Sequence, residues 1–124
     1  MEEDWQPKIL IVDDEIDICE MMMFTFESKG FEAFTANDAE EAFEVVLRED
    51  LDVVVSDVRM PKGGGMKLLS DIKAHNPIKP RVFLITGYSD GSREEAMAAG
   101  AETVLSKPIK LGELVEVVTK AITT

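Results

Sequence analysis

A chain of 124 residues, 45% hydrophobic and 31% charged, has the size and composition of one globular domain, which excludes a disordered or fibrous chain. Its formal charge of −12 disfavours direct binding of nucleic acid, whose phosphates carry the same sign. The single cysteine excludes an internal disulfide and indicates a cytoplasmic protein, and no apolar run approaches the roughly 20 residues of a membrane-spanning helix.

Strand-like and helix-like segments alternate along the chain, and each apolar run predicts a strand. Runs such as 53–55 are apolar without alternation, as expected for strands that are covered on both faces of a parallel sheet. The second run is the least apolar, which suits the edge of a sheet. The predicted strands span residues 8–12, 31–35, 51–56, 81–85 and 103–106.

Apolar residues at helical spacing predict a helix after each strand. Asn37, with Glu40 three residues further on, forms a capping-box pattern at the start of the second helix. Ser92 with Glu95 forms a similar pattern for the fourth. The apolar stripes are Ile16-Cys19-Met23-Phe26, Ala39-Ala42-Phe43-Val46, Leu68-Leu69-Ile72 and, in the fifth helix, Leu111-Leu114-Val115-Val118-Ile122.

Five strand–helix repeats define an α/β fold. Right-handed crossovers between parallel strands place the helices on both faces of one sheet. We expect residues 1–6 to be frayed, with Trp5 packing back onto the sheet, and residues 7–124 to form a single domain.

Reactive side chains follow four of the predicted strands. Asp13 and Asp14 come after the first strand, Asp57 after the third, Thr86 after the fourth and Lys107 after the fifth. In an open parallel sheet, ligands bind beyond the carboxyl ends of the strands, where these groups would meet. Carboxylates suit Mg²⁺, and a carboxylate beside a metal and an ammonium group can attack phosphorus. The pattern predicts a magnesium and phosphoryl site, in which Thr86 offers a hydroxyl.

The order of these motifs resembles the receiver domain of bacterial two-component response regulators, the CheY-like family. The resemblance covers essentially the whole chain and implies a flavodoxin-like sheet of strand order 2-1-3-4-5. It also implies a cis peptide bond between Lys107 and Pro108. The motifs are Asp13-Asp14, Asp57-Val58-Arg59-Met60-Pro61, Thr86-Gly87 and Lys107-Pro108.

The resemblance assigns roles to these residues. Asp57 would be phosphorylated by a sensor histidine kinase, and Lys107 would pair with the phosphoryl group. Asp14 would ligate Mg²⁺ directly and Asp13 through water, with Asp57 and the backbone carbonyl of Arg59 completing the protein ligands. Phosphorylation would alter the face formed by the fourth helix, fifth strand and fifth helix.

The output of such a switch would be a downstream protein or a C-terminal output domain, and a homodimer is possible. Whether the chain is a stand-alone regulator or part of a longer protein is left open by the sequence.

Several alternatives remain open at this point. Asp13 and Asp14 could merely cap the first helix, and the domain could be a degenerate receiver that acts only as an interaction module. A phosphatase with an aspartate nucleophile would want a second Asp two residues after Asp57, where this chain has Arg59. The domain is therefore expected to assist only its own phosphorylation and dephosphorylation rather than to act as an enzyme.

The chain departs from the family at the switch. Many receivers carry a Tyr or Phe three residues before the lysine, whose ring turns inward on activation, whereas this chain has Val104. The signal would instead pass through Thr86, the loop after the fourth strand and the fourth helix. Arg59 and Tyr88 occupy the loop positions nearest the approach of an attacking water, which suggests that they slow hydrolysis of the aspartyl phosphate.

Two further segments each have two interpretations. The Gly63-Gly64-Gly65 run predicts either a mobile loop or a tight entry into the third helix. The Met21-Met22-Met23-Phe24 run supplies more apolar side chains than a core stripe needs. It predicts either a docking patch on the first helix or partial burial.

Overall fold

Five parallel strands alternate with five helices in a computed structural model that describes residues 5–60, 62–87 and 92–123. The strands are β1 (Lys8–Val12), β2 (Glu32–Ala36), β3 (Val53–Asp57), β4 (Arg81–Thr86) and β5 (Thr103–Ser106). The helices are α1 (Ile16–Glu27), α2 (Ala39–Arg48), α3 (Gly64–His75), α4 (Ser92–Ala98) and α5 (Leu111–Thr123).

The strands form one sheet in the order β2-β1-β3-β4-β5, and all neighbouring pairs are parallel, which confirms the predicted fold. The interior strands β1 and β3 are almost fully buried, in keeping with their unbroken apolar runs. β2 lies at an edge, as predicted, and carries both exposed and buried residues. The bounds differ slightly from prediction, since β2 begins one residue later and β3 two residues later.

Each face of the sheet is covered by its own apolar cluster, because successive residues of a strand point to opposite faces. The cluster toward α2, α3 and α4 includes Leu10, Val54, Leu68, Ile72 and Leu84. The cluster toward α1 and α5 includes Ile11, Phe26, Val55, Phe83 and Val118. Burying each of these large side chains contributes about 1.5–3 kcal/mol, so the two clusters hold the strand ends in a fixed arrangement.

The buried stripe of α1 differs from the predicted one. Cys19, Met22 and Phe26 are buried, whereas Ile16 is 61% exposed and Met23 only packs against the edge of the cluster. Ile16 is the first residue of the helix, one turn before the first buried position, so it extends past the core. The Met-rich run is thus divided between core and surface.

The capping box of α2 is displaced by one residue from the predicted pair. Asp38 is the N-cap, and its carboxylate accepts a hydrogen bond from the Glu41 N–H at 2.7 Å. The Glu41 carboxylate in turn accepts from the Asn37 N–H at 2.9 Å. The prediction of Asn37 with Glu40 was wrong because Asn and Asp are almost equally good N-caps. The cap predicted at Ser92 lies outside the described side chains.

The glycine run at the start of α3 allows the helix to approach β3 very closely. Gly63 and Gly64 have positive φ values of 103° and 70°. A Cβ on Gly65 would lie 2.5 Å from the Asp57 carbonyl oxygen, and one on Gly64 would lie 2.7 Å from the Val58 carbonyl oxygen. This geometry supports the tight-entry interpretation of the run.

Replacing Gly65 by Ala should therefore lower the free energy of unfolding by about 1–3 kcal/mol, since the added methyl group overlaps backbone rather than a flexible side chain. Gly112 is the matched control, because a Cβ there meets nothing within 4 Å and the residue is helical. Gly112→Ala should raise stability by up to about 1 kcal/mol. Urea denaturation of both variants measures the difference, and equal stabilities would show that the close approach does not constrain the fold.

Candidate functional site

The carboxyl ends of four strands bring the predicted side chains to one edge of the sheet. Asp13 directly follows β1, Asp57 ends β3, Thr86 ends β4 and Lys107 directly follows β5. Because the strands are parallel and in the order β2-β1-β3-β4-β5, these four ends are neighbours. In the pairing of β3 with β4, Asp57 lies opposite Ile85, so Thr86 is only one residue further along the neighbouring strand.

Three carboxylates form the acidic part of the site. One carboxylate oxygen each from Asp13, Asp14 and Asp57 lies within 4.8 Å of the others. Asp13 and Asp57 are buried, whereas Asp14 is exposed. Burial raises the pKa of the Asp13 carboxyl above its usual value, and the charges of Asp57 and Asp14 add to the shift. Such a set of hard oxygen donors, with excess negative charge, fits Mg²⁺.

Both oxygens of the Asp57 carboxylate accept a hydrogen bond. The Lys107 Nζ lies 3.0 Å from Asp57 Oδ2, and the Arg59 N–H donates to Asp57 Oδ1 at 3.3 Å. The hydrogen bond with Asp57 raises the pKa of the Lys107 ammonium, although burial opposes the shift. Lys107 is thus a fully charged cation at neutral pH, and its side chain remains 45% exposed.

The ends of β4 and β5 are joined at the site. The Lys107 N–H donates to the Thr86 carbonyl at 2.8 Å, and Thr86 is buried. The peptide bond between Lys107 and Pro108 is cis, as the family resemblance implied, and the bond between Lys79 and Pro80 is also cis. Thr86 and Lys107 therefore lie together with Asp57, as the sequence predicted.

The alternative that Asp13 and Asp14 merely cap α1 explains little of the acidic cluster. Asp13 Oδ1 accepts from the Glu15 N–H at 2.9 Å, and that bond lowers the pKa of Asp13, against the effect of burial. Glu15 is itself the N-cap residue and makes no side-chain cap hydrogen bond. The convergence of Asp14 and Asp57 on Asp13 goes beyond what a helix cap requires.

Two neighbours of the site were not assigned to it from the sequence. Asn37 Nδ2 donates to the Asp13 carbonyl oxygen at 3.0 Å, and the Cys19 thiol lies 3.4 Å from the same oxygen. Burial, reinforced by the negative charge of Asp13, raises the pKa of Cys19 to about 11, so the thiol stays protonated and able to donate. No sequence signal separated this contact from a capping role for Asn37, because the adjacent Asp38 is an almost equally good N-cap.

Three carboxylates, a threonine and a lysine meet at the carboxyl edge of a parallel α/β sheet, and sequence comparison specifies the family of this domain. A family model described as the response regulator receiver domain matches residues 9–119. The response regulator protein PilR of Pseudomonas aeruginosa is 38% identical over 116 residues, covering 93% of this chain and 26% of PilR. The chain belongs to the response regulator receiver domain family.

Further relatives and solved structures agree with this assignment. The regulatory protein AtoC of Escherichia coli is 36% identical over 116 residues, covering 93% of this chain and 25% of AtoC. A receiver domain from Clostridium thermocellum has a TM-score of 0.87 and 34% identity, with 94% of both chains covered. A CheY-like receiver domain from Methanospirillum hungatei has a TM-score of 0.89 and 25% identity, with 95% of this chain and 94% of that chain covered.

The chain spans about a quarter of the length of the two curated relatives. The family to which it belongs consists of phosphorylation-dependent signalling domains of two-component systems. Among the described residues, no helix combines the length and apolar character needed to cross a membrane.

The raised pKa of Asp13 predicts how charge removal affects stability. The carboxylate form is disfavoured in the folded state, so it costs stability at every pH above its unfolded pKa of about 3.9. Asp13→Asn should therefore stabilise the metal-free fold at pH 7, and the gain should disappear near pH 3, where both states hold the proton.

Urea denaturation at both pH values, in the presence of a chelator, measures this effect. Asp71→Asn is the control, because Asp71 is a partly exposed acid paired with Lys67 at the surface. That variant should change stability by less than about 0.5 kcal/mol. A less stable Asp13→Asn variant at pH 7 would contradict a cost of holding this buried carboxylate in its charged form.

Proposed function

We propose that this receiver domain is a signalling switch that is turned on when Asp57 accepts a phosphoryl group from a sensor histidine kinase. The observation that supports this most strongly is the setting of the Asp57 carboxylate. It is buried, it is bound by Lys107 and by the Arg59 N–H, and it lies beside two further carboxylates. The neighbouring groups can thus activate and orient it.

The transfer itself needs one nucleophile and one cation from the chain. An oxygen of the Asp57 carboxylate attacks the phosphorus of a phosphohistidine, and the phosphorus–nitrogen bond breaks as an acyl phosphate forms. The electron pair leaves with the imidazole nitrogen, which remains on the kinase and takes up a proton. Lys107, 3.0 Å from Asp57 Oδ2, then pairs with a phosphoryl oxygen.

The family resemblance suggests which residues would hold the metal. Asp14, Asp57 and the backbone carbonyl of Arg59 would hold Mg²⁺ directly, with Asp13 acting through a water molecule. The bound ion would neutralise charge on the phosphoryl oxygens during transfer. The three convergent carboxylates support this assignment, because without a cation their repulsion is only partly relieved by Lys107.

The switch must work without an aromatic ring at position 104. Val104 is buried against the cluster that includes Ala96 of α4. Arg93 of α4 donates from Nη1 to the Val104 carbonyl at 2.6 Å, which joins α4 to β5. A phosphoryl group that attracts the Thr86 hydroxyl would favour one of two existing conformations, and the change would reach the α4–β5–α5 face through this contact.

A groove beside the site suits the approach of a phosphohistidine-bearing domain. A cavity of about 490 Å³ lies between α1 and the segment after β5, and the exposed side chain of Met21 borders it. Its lining includes Asp13, Ile18, Met21, Met22, Lys107 and Ile109. Phe24, in the same Met-rich run of α1, is also exposed, at 74%.

Other parts of the proposal rest on the relatives and the composition. The curated relatives are about four times as long as this chain, which supports an output domain or a downstream protein as the next partner, and a homodimer is also compatible.

The buried thiol of Cys19 fits the reducing cytoplasm. We propose one receiver domain over residues 7–124; the segment expected to be frayed, 1–6, lies mostly outside the described residues, and Trp5 lines a small cavity with Ile78 and Ile122.

The domain would turn over no external substrate and would assist only its own phosphorylation and dephosphorylation. The competing function is that of a degenerate receiver that serves only as an interaction module. The full set of Asp13, Asp14, Asp57, Thr86 and Lys107 at one edge of the sheet favours the active form.

Intact-mass spectrometry after incubation with acetyl phosphate tests the proposed function. We expect a single phosphoryl adduct that requires Mg²⁺ and is absent from Asp57→Asn, which keeps the shape of the side chain. Asp71→Asn, on the outer side of α3, should retain the adduct. A folded protein that neither binds Mg²⁺ nor forms an adduct would favour the interaction module instead.

Arg59 provides a second test, because its side chain is exposed at the mouth of the site. If it restricts the approach of water to the acyl phosphate, Arg59→Ala should lose the phosphoryl group faster than the wild type. The decay of the adduct with time measures this, with the exposed Arg48→Ala as control. Tyr88, the other residue of this hypothesis, lies outside the described residues; unchanged decay in both Arg59→Ala and Tyr88→Ala would refute it.

A further inference from the structure

We propose that Asn37 is a positioning residue for the metal ligands, because its side chain fixes the peptide bond from which Asp14 projects. This inference rests on the proposed function and adds to it a residue outside the motifs that define the site. Asn37 lies in the turn between β2 and α2, 24 residues along the chain from the carbonyl group that it binds.

The contact of Asn37 with Asp13 holds one side of the acidic loop 13–15, which joins β1 to α1. Asn37 Nδ2 donates to the Asp13 carbonyl oxygen at 3.0 Å, and the Asp13 N–H donates to the Ala36 carbonyl at 3.2 Å. Both main-chain polar groups of Asp13 are therefore bound by two consecutive residues at the end of β2. A peptide unit is planar, so fixing the Asp13 carbonyl also fixes the N–H and Cα of Asp14.

Asp14 depends on this anchoring more than its neighbours do. It is exposed, and within the described ranges no hydrogen bond holds its carboxylate in place. Asp13 and Asp57, by contrast, are buried, and each accepts a backbone N–H. The direction of the Asp14 carboxylate toward a cation is thus set mainly by the backbone that Asn37 fixes.

Asn37 is itself held firmly enough to act as an anchor. Its N–H donates to Glu41 Oε1 at 2.9 Å, and the adjacent Asp38 caps α2 through the Glu41 N–H at 2.7 Å. Lys62 Nζ also lies 3.7 Å from Asp38 Oδ2, which ties the turn to the loop after β3. The amide is an uncharged donor, so it supports the loop without adding a fourth negative charge to the cluster.

Capping and positioning are divided between two adjacent residues, which gives a matched control. Asp38→Ala removes the cap of α2 but leaves the Asn37 amide, whereas Asn37→Leu removes the amide donor, keeps the same branched heavy-atom shape and leaves the cap. A purely structural role for Asn37 would make the two variants alike. A positioning role would separate metal affinity from stability.

The test is isothermal titration of Mg²⁺ into the metal-free chain, with thermal unfolding measured in parallel. Asn37→Leu should bind Mg²⁺ roughly tenfold more weakly than wild type, the usual scale for a residue that orients a metal ligand. Asp38→Ala should melt at a lower temperature but keep the affinity of the wild type. Asn37→Ala is included so that an effect of the larger Leu side chain on folding can be recognised.

Wild-type affinity in both Asn37 variants would overturn the inference, and so would an equal loss of affinity in Asp38→Ala. These results leave the proposed function standing, because the wild type would still bind Mg²⁺. A wild-type chain that fails to bind Mg²⁺ would overturn the proposed function and this inference together.

Discussion

The carboxylates of Asp13, Asp14 and Asp57 converge to within 4.8 Å, and their mutual repulsion dictates what surrounds them. Lys107 supplies a positive charge 3.0 Å from the Asp57 carboxylate, and the N–H groups of Arg59 and Glu15 donate to the carboxylates of Asp57 and Asp13. Burial above all, with the charges of Asp57 and Asp14, holds the pKa of Asp13 above its ordinary value, and the charge of Lys107 offsets this only in part. The ionised Asp13 carboxylate is therefore disfavoured in the folded state, and protonation or the proposed Mg²⁺ would offset that cost.

The parallel sheet explains why so much of this could be predicted from the sequence. When a reactive residue follows directly on an apolar run, the run fixes both the strand and the edge at which it ends. Asp57 after 53–56 and Lys107 after 103–106 are such cases, and the structure places them in contact. The sheet order and the edge position of β2 followed from the same reasoning and from the family resemblance.

The features that could not be predicted from the sequence are those for which neighbouring residues are almost equally suitable. Asn37 and Asp38 have almost the same capping propensity, so the register of the α2 cap, and with it the contact of Asn37 to the site, was settled only by three-dimensional packing. A rotation of α1 by a fraction of a turn decides between Met22 and Met23 as the buried residue. Likewise, the purpose of the glycine run became clear only from the distance between Gly65 and the backbone of β3.

The close approach of Gly65 to the Asp57 carbonyl divides the site into two halves with different neighbours. A side chain at position 65 would collide with this carbonyl, so Asp57 belongs to the half of the site that packs closely against the start of α3. Thr86 and Lys107 are on the other half, at the ends of β4 and β5, whose link to α4 includes the hydrogen bond from Arg93 to the β5 backbone. A ligand bonded to Asp57 and also to Thr86 or Lys107 would therefore join the α3 side of the site to the α4 side.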